Sequence, residues 1–263
     1  MEKRQLGQTG IEMSVLGLGT VKFGRNEGVK YPESFDIPDD AALADLLSIA
    51  KDLGINTLDT APAYGTSEER LGGLLKGQRE DWVIVGKAGE EFEGGESAYH
   101  FTPEHFEMSL ARSLKRLDTD YIDVLLLHSD GNDLENLSDE IIATLQDFKK
   151  RGLVRAIGAS TKTAEGGIRA LEHMDTVMAM YTQGYTDEKP VLDYAAQHGK
   201  GVLLKKVLSS GHDRNVAEAL KFGLSHPGVT SAIVGTITPA HLKANAESSL
   251  ISFPFSPPGR GPG

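Results

Sequence analysis

The chain contains no cysteine among its 263 residues. Disulfides, thiolate nucleophiles and cysteine-based zinc sites are thereby excluded, and the absence fits a reducing compartment. Positive charge is the minority: 27 Lys and Arg stand against 38 Asp and Glu, a net charge of −11. No basic cluster offers a footprint for a phosphate backbone, so nucleic acid is not an expected partner. Long apolar runs are also missing. Nothing approaches the roughly 18 apolar residues of a membrane span, and Met1-Glu-Lys-Arg-Gln5 lacks the apolar stretch of a signal peptide. The expectation is a cytoplasmic protein with no membrane partner, monomeric or a small homo-oligomer.

What the chain does have is alternation. A polar, glycine-containing hairpin over 3–15 is followed by short β-branched runs at 15–20, 56–59, 82–87, 122–128, 154–159, 176–181, 201–206 and 231–235. Between and after them lie amphipathic stretches at 39–53, from Ser67 onward, and at 103–116, 138–150, 163–173, 190–197, 215–225 and 239–249. Ser67 has the shape of an N-cap, with Glu68 and Glu69 in the first turn where the helix dipole favours negative charge. Strand–helix alternation of this kind builds a parallel sheet. An open doubly wound sheet is the competitor, but no Gly-x-Gly-x-x-Gly follows the first strand, and eight consecutive units favour closure. The expected fold is α/β, a (β/α)8 TIM barrel over 1–252 with the hairpin closing its bottom. The Pro/Gly-rich tail at 253–263 is expected to be extended or disordered.

Barrel chemistry sits at the C-terminal ends of the strands. Asp59, Lys87 and His128 each end an apolar run there, on neighbouring strands, and Tyr64 follows on the second loop. Carbonyl reduction by hydride leaves negative charge on oxygen and needs a proton donor within hydrogen-bond reach. Tyr64 suits that role. A nearby Lys87 ammonium is expected to lower its pKa, with Asp59 aiming the ammonium and His128 orienting the substrate oxygen or sharing the proton. Taken singly, each residue has an ordinary structural reading as turn former, solvated strand end or hydrogen-bonded histidine. Their joint placement is what points to catalysis.

The sequence also resembles the aldo-keto reductase superfamily. The resemblance rests on 9–20 (TGIEMSVLGLGT), 54–72 (GINTLDTAPAYGTSEERLG), 113–128 (SLKRLDTDYIDVLLLH), 152–160 (GLVRAIGAS) and 234–245 (VGTITPAHLKAN). It implies Tyr64 as general acid, Asp59 and Lys87 tuning it, His128 positioning the carbonyl, no metal, and NADPH as cofactor with NADH possible. It places the cofactor along Gly19, Thr20, Ser160, Thr161, Lys205, Lys206, Ser209, Gly211, Gly235, Thr236, His241 and Asn245. The match is uneven there. Thr161 stands where an asparagine is expected, Met178 where a glutamine is common, and Lys205 or Lys206 where an aromatic ring often packs on the nicotinamide. Gly235-Thr236 and His241 replace the Lys-Ser/Thr and Arg of many relatives. Asn245 is equally readable as a helix-surface residue.

The stretch after Lys206 is short for the family, so a cofactor-covering loop is expected to be reduced and cofactor exchange to be fast. The segments 25–36 and 90–101 follow strands on the working face. Tyr31, Phe35, Phe92, Tyr99 and Phe101 form a candidate aromatic wall, and the acids of the second segment disfavour an anionic substrate if they point inward. The leading reading is an oxidoreductase that reduces a small aldehyde or ketone. The departures on the cofactor side leave a rival, a nicotinamide-binding regulatory or interaction protein with little turnover. A metal-dependent barrel hydrolase is weaker, because His128 lacks a matching set of strand-end ligands.

Overall fold

A computed structural model of the chain describes residues 1–31, 33–209 and 215–249. The strands in chain order are β1 (Lys3–Gln5), β2 (Glu12–Ser14), β3 (Leu16–Gly19), β4 (Thr57–Asp59), β5 (Val83–Ala88), β6 (Glu90–Glu93), β7 (Glu96–Tyr99), β8 (Ile122–His128), β9 (Val154–Ser160), β10 (Thr176–Met180), β11 (Gly201–Lys205) and β12 (Val229–Gly235). The helices are α1 (Val21–Gly24), α2 (Asp40–Asp52), α3 (Ser67–Leu74), α4 (Pro103–Arg116), α5 (Asp133–Asn136), α6 (Asp139–Lys150), α7 (Ala164–His173), α8 (Lys189–His198), α9 (Val216–Leu224) and α10 (Pro239–Ser249).

Eight parallel strands, β3, β4, β5, β8, β9, β10, β11 and β12, close into a barrel in chain order, with β12 pairing back to β3. Side chains alternate across each strand, so two cores form. Outward residues such as Ile84, Leu125, Ile157 and Leu204 pack with Leu46, Phe106, Leu145 and Phe148 of the helices. Inward residues Val83, Val85, Val124, Leu126, Ala156, Met178, Leu203 and Ile233 fill the barrel.

The barrel core also takes Leu6, Ile11 and Met13 from the antiparallel β1–β2 hairpin. The hairpin therefore closes the bottom, as expected from sequence. Helix starts are set by side-chain caps: Asp39 accepts from Ala42, Thr102 from His105, Ser138 from Ile141 and Thr163 from Gly166. Each satisfies an otherwise orphaned first-turn N–H.

Two local expectations change. Thr66, not Ser67, precedes α3, and no side-chain bond caps that helix. Ser67 instead lies inside the first turn, its hydroxyl 2.7 Å from that of Thr20 and 3.1 Å from that of Thr60. The segment 90–101 after β5, given no secondary structure from sequence, carries the β6–β7 hairpin, in register Glu90↔Tyr99 and Glu93↔Glu96. The tail 253–263 lies outside the described residues.

Candidate active site

Inward parity carries each strand's last inward residue to the same rim. On β5 the inward series runs Val83, Val85, Lys87, and on β8 it runs Val124, Leu126, His128, with His128 opposite Ser160 of β9. Asp59 ends β4 opposite Val85. Tyr64 comes from a 3-10 turn, Pro62–Tyr64. Gly65 then adopts φ +63°, and a Cβ there would lie 2.1 Å from the Gly24 carbonyl oxygen. Only glycine allows that approach, which pins the Tyr64 turn against the end of α1.

The structure brings the four expected catalytic residues together. Lys87 Nζ donates to Asp59 Oδ1 at 2.5 Å and to the Thr60 carbonyl at 3.0 Å. Tyr64 Oη donates to Asp59 Oδ2 at 3.4 Å. Lys87 Nζ stands 4.8 Å from the Tyr64 ring centroid, and the His128 ring meets the Tyr64 ring edge-on, centroids 6.4 Å apart. Asp59 and Lys87 are buried, with side-chain exposures of 5% and 1%. Such a pair persists only because each charge answers the other and both make further hydrogen bonds.

The electrostatics correct one expectation. Burial pushes the Tyr64 phenol well above its ordinary pKa, and the Asp59 and Glu90 carboxylates push it further in the same direction. Lys87, its ammonium paired with Asp59 at 2.5 Å, does not reverse that shift. In the resting site Tyr64 therefore holds its proton. Burial likewise moves His128 below the usual histidine range, against the pull of Glu90 and with the help of Lys87 and Lys205.

Beside this cluster lies a cavity of about 710 Å³, within the usual range for cofactor sites. Its lining includes Asp59, Tyr64, Lys87 and His128 together with Gly19, Ser160, Lys205, Lys206, Gly235, Thr236, His241 and Asn245. Three expected cofactor residues stand off the lining. Thr20 is buried behind it, its hydroxyl donating to the Asp59 carbonyl at 2.9 Å. Thr161 is buried with an Oγ1 that has no hydrogen-bond partner. Ser209 sits in a turn at φ +48°. Gly211 lies outside the described residues, as does most of the stretch between Lys206 and α9. Asn245 is a buried wall residue and not a helix-surface one.

Lys205 is the inward group at the end of β11. Its Nζ donates to Ser160 Oγ at 3.0 Å and to the Thr161 carbonyl at 2.5 Å. Burial lowers its pKa to about 8, and the Glu188 carboxylate opposes that shift. Met178 lies in both the barrel core and the cavity lining. Of the candidate aromatic wall, Tyr31 and Phe35 line the cavity, edge to face with centroids 5.7 Å apart. Phe92 instead lies under the Arg25 guanidinium at 3.3 Å, and Tyr99 stacks on Phe101.

These residues fit a nicotinamide dinucleotide. Gly19 and Gly235 end β3 and β12 without side chains at the cavity wall, the Lys205 cation lines it beside Ser160, and Thr236 and Thr238 lead into the N-terminus of α10.

A model of the aldo/keto reductase family matches residues 15–212. The chain belongs to this family. It is 54% identical to a candidate aldo-keto reductase of Pseudomonas aeruginosa of solved structure, over 94% of this chain and 93% of that one, with a TM-score of 0.87. It is 30% identical over 96% of its length to the NADH-specific methylglyoxal reductase of Escherichia coli, covering 75% of that protein. The uncharacterized oxidoreductase YqkF of Bacillus subtilis is 33% identical over 61% of the chain, a match that spans 49% of YqkF. Family membership makes the protein an oxidoreductase that uses a nicotinamide cofactor.

Sequence reasoning missed three contributors to this site. Lys22 lines the cavity with its Nζ 3.9 Å from the Tyr31 centroid. Glu188 is buried near Lys205, and Glu90 reaches His128. Glu90 is the first residue of a hairpin whose Gly94-Gly95 turn was the available signal.

Proposed function

We propose that the protein reduces small aldehydes or ketones with hydride from NADPH, and that Tyr64 is the general acid. The observation that carries this reading is the Asp59–Lys87–Tyr64–His128 cluster on the rim of a cavity whose other wall suits a dinucleotide. When bound, the reduced nicotinamide supplies hydride to the carbonyl carbon. The carbonyl π electrons then move to oxygen, which takes the proton from Tyr64 Oη. A phenol held above its ordinary pKa keeps that proton until a stronger base, the nascent alkoxide, is present.

Lys87 stands beside the Tyr64 ring to meet the phenolate that remains, and Asp59 keeps its ammonium in place. His128 borders the same oxygen position. On the cofactor side, Lys22, Lys206, Thr236 and Thr238 line the same cavity as His241 and Asn245 of α10 and supply cations and hydroxyls, which favours the 2′-phosphate of NADPH. The methylglyoxal reductase relative supports a small carbonyl substrate.

The test is oxidation of NADPH and of NADH by the purified protein over a panel of aldehydes and ketones. Turnover on at least one small carbonyl, faster with NADPH, is the expected result. Tight cofactor binding with no turnover on any carbonyl would favour the regulatory reading instead.

A further inference from the structure

His128 has a partner that the four-residue cluster does not account for. Its Nδ1 lies 2.9 Å from Glu90 Oε2, with side-chain exposures of 18% for His128 and 11% for Glu90. The other carboxylate oxygen, Oε1, accepts from Ser97 Oγ at 2.7 Å across the β6–β7 hairpin. The hairpin is itself anchored: Arg112 Nη2 reaches Glu91 at 2.5 Å, and the Arg25 guanidinium covers Phe92. Glu90 is thus held at the rim by structure that neither the barrel nor the cofactor wall requires.

A neutral imidazole carries one proton, and the contact made by one ring nitrogen fixes where it sits. With the proton on Nε2, the Nδ1 lone pair would face a carboxylate at 2.9 Å, an unfavourable contact in a site with little water to screen it. With the proton on Nδ1, the contact becomes attractive. The N–H points off the line to Oε2, so the attraction is as much charge–dipole as hydrogen bond.

We propose that Glu90 is a positioning residue for His128: it holds the ring proton on Nδ1 and leaves Nε2 as a hydrogen-bond acceptor, so the site favours a ligand oxygen that carries hydrogen. Such a ligand is an alcohol, or a carbonyl compound with a hydroxyl on the adjacent carbon. A bare carbonyl oxygen meets a donor at Nε2 only after the ring has taken up a second proton. The substrate preference rests on the reductase reading; the position of the proton does not.

The charges around the pair agree with a neutral ring at neutral pH. His128 faces Lys87 of β5 and Lys205 of β11, and burial, the largest effect, also disfavours the imidazolium; Glu90 alone favours it. Glu90 faces His128, Ser97 and Arg25. Burial raises its pKa, but these partners outweigh burial and bring it down to about 2. The carboxylate is therefore charged throughout the working range.

The test is nitrogen NMR of the labelled whole protein, with His128→Gln identifying its signals among those of the 8 histidines. The expected wild-type state at neutral pH has hydrogen on Nδ1 and a bare Nε2. In Glu90→Gln the Nδ1 preference is lost and the titration midpoint falls by about one unit. Ser97→Ala, which keeps the carboxylate but frees it, shifts both in the same direction by less and guards against a folding defect in the first variant. A wild-type proton on Nε2, or a Glu90→Gln spectrum unchanged in proton position and midpoint, would overturn the proposal.

The ligand arm needs no turnover. Hydroxyacetone is expected to move the Nε2 resonance with bound cofactor, and acetone at the same concentration to move it less. Equal shifts would overturn the preference for hydroxylated ligands. Failure of the reductase reading would appear separately, as absent turnover with the Nδ1 proton in place.

Discussion

The two halves of the site differ in how completely their polar groups are partnered. On the β4–β5–β8 side, Asp59 gives one oxygen to Lys87 and the other to Tyr64, Lys87 also bonds the Thr60 carbonyl, and His128 Nδ1, though off hydrogen-bond line, is answered by the Glu90 carboxylate at 2.9 Å. On the β9–β12 side, Thr161 Oγ1 and Glu188 Oε2 are buried without a partner, and the Lys205 cation is held against its own desolvation. Unpaired buried groups of this kind are costly, and they stand beside Lys205, which lines the cavity. The difference separates a proton-transfer half that is preorganised by itself from a cofactor half that is finished by what binds.

The largest effect that can break this comparison is at Asp59. Asp59→Ala leaves the Lys87 ammonium buried and unanswered, and should destabilise the fold by about 3–5 kcal/mol in denaturant unfolding. Adding Lys87→Met should recover most of that stability while turnover stays absent, because Tyr64 then lacks both neighbours. Recovery of turnover in the double variant would show that the pair is structural only.

Next in size is Lys205. Lys205→Met should weaken cofactor binding about tenfold at pH 7, the order of one charge-assisted contact. Its pKa is lowered by burial to about 8, so the cation is present below that pH and is lost as pH rises through it. Cofactor affinity of the wild type should fall across that window, and titration calorimetry should find the Lys205→Met affinity flat.

The smallest effect is at Thr161. Thr161→Val removes an unpaired hydroxyl buried off the cavity lining, so the folded state should lose nothing in thermal unfolding and the cofactor Kd should stay within about twofold. A loss of stability instead would mean that the hydroxyl is partnered without ligand, and the contrast between the halves would weaken.

The proton half was also the more legible half in the sequence. Asp59, Lys87 and His128 close strands whose parity is visible in the apolar run before each of them, and α4 (Pro103–Arg116) announces itself with a Thr102 cap and a proline in its first turn. The β6–β7 hairpin was missed because its strands carry acids and not alternating apolar residues, leaving Gly94-Gly95 as the lone signal. The Glu90–His128 contact joins two elements remote in sequence, and no periodicity encodes it. Nor was the direction of the Tyr64 shift readable. Proximity to Lys87 was foreseeable, but not that Asp59 would neutralise Lys87 while burial acted on the phenol.

The most direct test of the division is Tyr64→Phe measured twice on the same preparation, for turnover and for cofactor affinity. The account predicts that kcat/KM falls by about two to four powers of ten while the Kd for cofactor stays within about twofold. Turnover that survives the substitution, or a cofactor Kd that rises in step with the lost activity, would contradict it.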